Sequence, residues 1–194
     1  VGTHVDVVEL SASVVRGASW FTHVNQNISD NPKVTLRVDD GRNYLLLTDR
    51  RYDVITADLI QPEHAGAGNL YSREYFALAR RALDEDGVML QWIVHRPEPS
   101  DKLILRTFLA VFPETTRGAD GHLLVGSLRP LQLRRDAFEA KLMDPGTHDA
   151  LTALGLGSFD ALRASFVAGP AELRAFAGAG DLLTDDRPLI EFHR

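Results

Sequence analysis

The apolar run Val54, Ile55, Thr56, Ala57 stops at Asp58, and a loop rich in Gly and Pro follows, with Gln61-Pro62, His64 and Ala65-Gly66-Ala67-Gly68. A short run without polar alternation, bounded by turn residues, suits a strand buried in a parallel sheet. After Ser72 the pattern becomes helical, with Phe76, Leu78, Ala79, Ala82 and Leu83 on one side. Parallel strands need such crossovers, so this stretch restricts the chain to an α/β architecture. The same handover occurs on either side. Residues 4–10 and 34–38 read as strands; Ser11 and Ser13 can cap a helical segment after the first, and Asp39-Asp40-Gly41 ends the second before a short helix whose apolar side is residues 44–47. Residues 25–32 are a loop by composition. Asp84-Glu85-Asp86-Gly87 reads as a helix exit and turn, and residues 88–94 as the next buried strand.

Pro97 and Pro99 break the chain, and Ser100 is the expected cap of a helix whose stripe is Leu103, Ile104, Leu105, Phe108, Leu109 and Phe112. Residues 115–117 and 122–127 are expected to pair as a hairpin around Gly118-Ala119-Asp120-Gly121. The order β-α-β-α-β-α-β-α-β-β predicts a mostly parallel sheet with an antiparallel end. From Pro130 the helical patches around 135–142, 148–154, 159–166 and 171–176 read as an appendage. The expected division is therefore 1–129 and 130–194. In the tail LLTDDRPLIEF, Asp185-Asp186 is expected to form a turn with an ion pair to Arg187.

Composition excludes several classes. A net charge of −6 argues against a general nucleic-acid binder. The chain has no Cys, hence no disulfide framework and no zinc–thiolate site. Its seven His show no metal-ligand spacing, so no metal is expected. No apolar run approaches the roughly 20 residues of a spanning helix, and the expected compartment is the cytoplasm. Trp20 and Trp92 are expected in the core or a pocket wall.

Three blocks stand in fixed order at strand ends: VVEL (residues 7–10), VDDGRNYL (38–45), and YDVITADLIQP with GNLYSREYF (52–76). Together they resemble the spermidine synthase family of aminopropyltransferases, with the bacterial branch that includes transporter-fused members as the nearest likeness. The resemblance implies a Rossmann-like, class I methyltransferase-type fold. It implies aminopropyl transfer from decarboxylated S-adenosylmethionine to an amine. Glu9 matches the acidic residue that holds the ribose hydroxyls; Asp40 matches the acidic residue of the Asp-Gly pair, with Gly41, that reads adenine; Asp58 matches the catalytic aspartate. Tyr71 matches a pocket-lining segment, and Gln91 a strand position near the same crevice. A small-molecule nucleoside and an amine are the implied partners, with a homodimer or a membrane-anchored parent protein as compatible assemblies.

Two departures stand out. The family's second aspartate before Pro is Gln61 here, which removes a negative charge from the amine-binding loop. The family's first strand and glycine-rich loop have no counterpart, so a gap is expected in the sheet and the chain reads as the carboxyl-terminal portion of a longer protein. A methyltransferase using S-adenosylmethionine and a non-catalytic sensing or dimerising module remain alternatives.

Overall fold

A computed structural model describes residues 4–58, 61–93 and 98–192. The contacts of the chain group it into two units, Val1–Asp49 and Arg50–Arg194.

In the first unit, β1 (Val5–Glu9) leads to α1 (Ala12–Gly17), a short α2 (Thr22–Asn25), β2 (Val34–Val38) and α3 (Gly41–Leu47). β1 and β2 are parallel, in register from Val5 opposite Val34 to Glu9 opposite Val38. Both helices that follow the strands start on side-chain caps. Ser11 Oγ accepts the Val14 N–H, and Asp40 Oδ1 accepts the Asn43 N–H. Leu45 alone among this unit's described large apolar residues is buried; Trp20 is 83% exposed. Trp20 is thus neither core nor pocket wall in this unit, because the helical segment bearing it has no apolar layer of its own to bury it.

The second unit carries the core. β3 (Tyr52–Ala57) is followed by a 3₁₀ turn at Gly68–Tyr71, α4 (Arg73–Ala82), β4 (Leu83–Trp92) and α5 (Glu98–Leu109). Then come β5 (Thr116–Gly118), β6 (Leu123–Gly126), α6 (Arg135–Leu142), α7 (Pro145–Ala153), α8 (Phe159–Ala164), β7 (Phe166–Ala168) and α9 (Pro170–Ala177). The sheet order is β3-β4-β6-β5-β7, with β3 and β4 parallel and the remainder antiparallel. Phe76, Phe108 and Phe112 are fully buried, and the Phe76 and Phe108 rings meet edge to face at 4.9 Å. Arg117 forks onto Asp101 at 2.7 and 3.0 Å, tying β5 to α5.

Among the described residues β1 and β2 pair only with each other, and β3 pairs only with β4. Several boundaries differ from expectation. The acidic residues 84–87 belong to β4, where they bulge out of register between the Tyr52–Leu83 and Val54–Val88 pairs. Arg129 binds Glu85 and Asp86 of that bulge. Ser100 lies inside α5, which begins at Glu98. Residues 130–194 are not a purely helical appendage, since Phe166 starts a strand that pairs with β5 and α9 packs on α5. The β-branched and aromatic residues Phe166 and Val167 favour that strand once an edge is available. Val94 and Pro97, read as a strand end and a breaker, lie outside the described residues.

Candidate active site

The candidate residues divide between the two units. In the first unit, Glu9 and Asp40 stand at the carboxyl ends of two paired parallel strands, where open α/β sheets bind ligands. Glu9 is half-buried and its Oε1 accepts the Ser11 N–H at 2.7 Å. Asp40 Oδ1 caps α3 through Asn43 N–H at 2.8 Å. Each therefore spends one oxygen on local structure. Gly41 opens α3, and nothing lies within 4 Å of where a Cβ would point.

In the second unit, Asp58 follows β3 directly and is exposed. Among the described residues it accepts no hydrogen bond and joins no ion pair. Gln91 is its nearest candidate neighbour through the strands, because Gln91 pairs with Ala57, the residue before Asp58. Gln91 is fully buried. Its Nε2 donates to Trp92 O at 3.1 Å and to Ala57 O at 3.5 Å. Its Oε1 is buried without a hydrogen-bond partner among the described residues. An acceptor left unsatisfied in a core costs about 1–3 kcal/mol, which a ligand donor would offset.

Gln61 is exposed, and its carbonyl accepts the His64 N–H at 3.2 Å, closing a turn. Tyr71 does not line an open surface. It is 0% exposed, because the 3₁₀ turn before α4 directs it into the core. The tail turn forms as expected, with Thr184 and Arg187 exchanging backbone bonds. The Thr184 hydroxyl is the main cause holding the Asp186 carboxyl below its ordinary value. Arg187 pairs with Asp181 at 3.6 Å, and its charge also helps to lower the Asp186 carboxyl. Asp185 instead accepts the Ser72 hydroxyl at 2.7 Å.

Sequence reasoning passed over Glu191. Its Oε1 accepts the N–H groups of Gly66 and Gly68, each at 3.0 Å, from more than 120 residues away. The signal was present only as two glycines in the loop and one carboxylate in the tail. Among the described residues no group of three or more His, Cys, Asp or Glu could hold a metal, and no helix is long and apolar enough to cross a membrane. Two open cavities of about 350 and 370 Å³ in the second unit, one beside β7 and one beside the start of α5, contain none of the candidate residues.

A polyamine aminopropyltransferase of Methanocaldococcus jannaschii is 33% identical over 87 residues, 45% of this chain and 29% of that protein. The chain thus aligns with less than a third of that curated relative. The fold matches a "probable spermidine synthase" from Corynebacterium glutamicum with a TM-score of 0.64 at 24% identity, covering 93% of this chain and 63% of the other. It also matches a spermidine synthase in complex with the transition state analogue AdoDATO, with a TM-score of 0.61 at 18% identity, covering 91% of this chain and 60% of the other. Residues 2–98, half the chain, match the model of the spermine/spermidine synthase domain, and the chain belongs to that family.

Proposed function

We propose that this chain supplies the nucleoside carboxylates and the general base of a polyamine aminopropyltransferase. The reaction moves an aminopropyl group from decarboxylated S-adenosylmethionine to an amine. The single observation that carries the reading is Asp58: an exposed carboxylate at the end of a parallel strand that the fold does not use for itself.

The chemistry needs such a group. An alkyl amine with a pKa near 10.4 is only about one part in 10³ neutral at pH 7, equivalent to roughly 4–5 kcal/mol. Asp58 would orient the ammonium, take its proton and leave the nitrogen lone pair facing the carbon beside the sulfonium. The new C–N bond forms as the C–S bond breaks, and methylthioadenosine leaves with the electron pair of that bond. A positioned base contributes about 10²–10⁴-fold to such a step. Gln91 Oε1 would accept an amine N–H, and Gln61 would offer a neutral contact where an aspartate would offer a charge. Glu9 would hold the ribose hydroxyls and Asp40 the adenine amino group, each with its uncommitted oxygen. A cytoplasmic setting, a homodimer and a membrane-anchored parent belong to the same reading and rest on family likeness alone.

Calorimetric titration of the chain with decarboxylated S-adenosylmethionine and with methylthioadenosine tests the proposal. Binding weakened by both Glu9→Ala and Asp40→Ala supports it. Absence of binding in the unaltered chain would refute it.

A further inference from the structure

The loop behind Asp58 is anchored by the far end of the chain. Gly66 has φ +84°, a left-handed conformation that strains any residue with a Cβ. Its N–H, with that of Gly68, converges on Glu191 Oε1. Gly68 is buried, and a Cβ there would sit 2.8 Å from that oxygen and 3.1 Å from Glu191 Cγ. One glycine thus lets the loop turn, and the other lets the carboxylate approach. Two N–H donors on one ionised oxygen form a charge-assisted pair, stronger than neutral hydrogen bonds.

The carboxylate is itself held rigidly. It sits on the 3₁₀ turn Leu189–Glu191, whose Ile190 is fully buried. Upstream, Leu183 N–H donates to Thr107 Oγ1 of α5 at 2.9 Å, and Arg73 N–H donates to Leu183 O at 2.9 Å. Asp185 takes the hydroxyl of Ser72, which also caps α4, while its own N–H donates to Glu74 Oε2. The tail therefore braces both the glycine loop and the start of the helix that follows it.

We infer that Glu191 is a positioning residue: it fixes residues 66–68, which the turns closed by Gln61 with His64 and by His64 with Ala67 join to Gln61, and so sets the acceptor-amine contact of Gln61. The catalytic half of this inference rests on the aminopropyl-transfer reading; the structural half does not.

The test uses the full chain with Glu191→Ala, Glu191→Gln and Gly68→Ala. Amide hydrogen exchange is read residue by residue, together with titration of 1,4-diaminobutane in the presence of methylthioadenosine. Removing the acceptor in Glu191→Ala is expected to speed exchange at Gly66 and Gly68 by about tenfold or more, with the buried amides of β4 unchanged. Glu191→Gln keeps a side-chain oxygen and should restore most of the protection. Gly68→Ala retains the Glu191 carboxylate but its Cβ pushes that carboxylate off the two N–H groups, and should reproduce Glu191→Ala. In both loosened variants the amine affinity should fall about tenfold while the affinity for methylthioadenosine stays within about twofold. Unchanged exchange at the two glycines overturns the inference outright. Faster exchange with unchanged amine affinity overturns its catalytic half. An unaltered chain that binds no amine refutes the aminopropyl reading and that half with it, while exchange still decides whether Glu191 holds the loop.

Discussion

In Val1–Asp49 the two candidate nucleoside carboxylates also hold up their own surroundings, whereas in Arg50–Arg194 the two duties fall on different residues. Glu9 accepts the N–H of Ser11 and Asp40 caps α3, in a unit whose buried apolar side chains, among the described residues, reduce to Leu45. Asp58 does neither task; Glu191 anchors the loop, and Phe76, Phe108, Phe112, Ile104 and Leu105 supply the core. A rich core lets a unit leave a carboxylate unused. A unit with almost none must take order from its polar groups, so binding and stability are coupled there. Substitutions should therefore separate function from stability in one region and confound them in the other.

The largest expected effect follows from that separation. Asp58→Asn should lower turnover by about 10²–10⁴-fold, read as methylthioadenosine released with 1,4-diaminobutane as acceptor. Its unfolding free energy should stay within about 0.5 kcal/mol of the unaltered chain in urea, because the carboxylate has no internal partner. A large loss of stability would show that Asp58 is structural after all and would erase the contrast between the units.

Next comes the core itself. Phe108→Ala should cost about 3–5 kcal/mol, since its ring is fully buried against Phe76 and Phe112. Trp20→Ala, on the exposed face of the other unit, should change stability by no more than about 0.5 kcal/mol. Equilibrium denaturation of both variants measures the difference. Comparable losses would mean that Trp20 is covered in solution.

The coupling in the first unit calls for a paired substitution. Asp40→Ala removes the α3 cap and should cost about 1 kcal/mol, with weaker methylthioadenosine binding. Asp40→Ser keeps a good cap but withdraws the second oxygen. It should hold stability while still losing nucleoside affinity, by calorimetry. If serine restores both, Asp40 is a cap and nothing more.

How much of this was legible follows the range of each interaction. The strand pattern around Ala57 and the cap at Ser72 are local, and β3 and α4 formed where the sequence placed them. The hairpin around residues 118–121 and α6 at Arg135–Leu142 also matched, for the same reason. Phe166 was misread as helical because its strand exists only by pairing with β5, nearly fifty residues earlier in the chain. Tyr71 was read as pocket wall because the residues after a loop reveal nothing about which way a 3₁₀ turn faces. Arg187 acts on Asp186 of the adjacent acidic pair, while its close ion pair is with Asp181. Glu191 was invisible for the same reason as Phe166: a carboxylate and two glycines that far apart carry no spacing signal.

The smallest expected effect concerns Asp144, the N-cap of α7 in the second unit. Its carboxyl lies below its ordinary value, chiefly because the Thr147 hydroxyl donates to it and secondarily because the Thr147 N–H does. A pKa lowered by folding means that the unfolded chain binds more protons between the two values, so stability rises with pH across that window. The contribution is complete above the unfolded carboxylate value, about 3.9, and is lost as pH falls through the lower folded value. Asp144→Asn retains a good cap but cannot titrate. Urea midpoints taken from pH 6 down to pH 3 should therefore fall slightly more steeply for the unaltered chain than for Asp144→Asn, with the curves diverging only below about pH 4. Parallel curves would place the acid sensitivity of the second unit elsewhere.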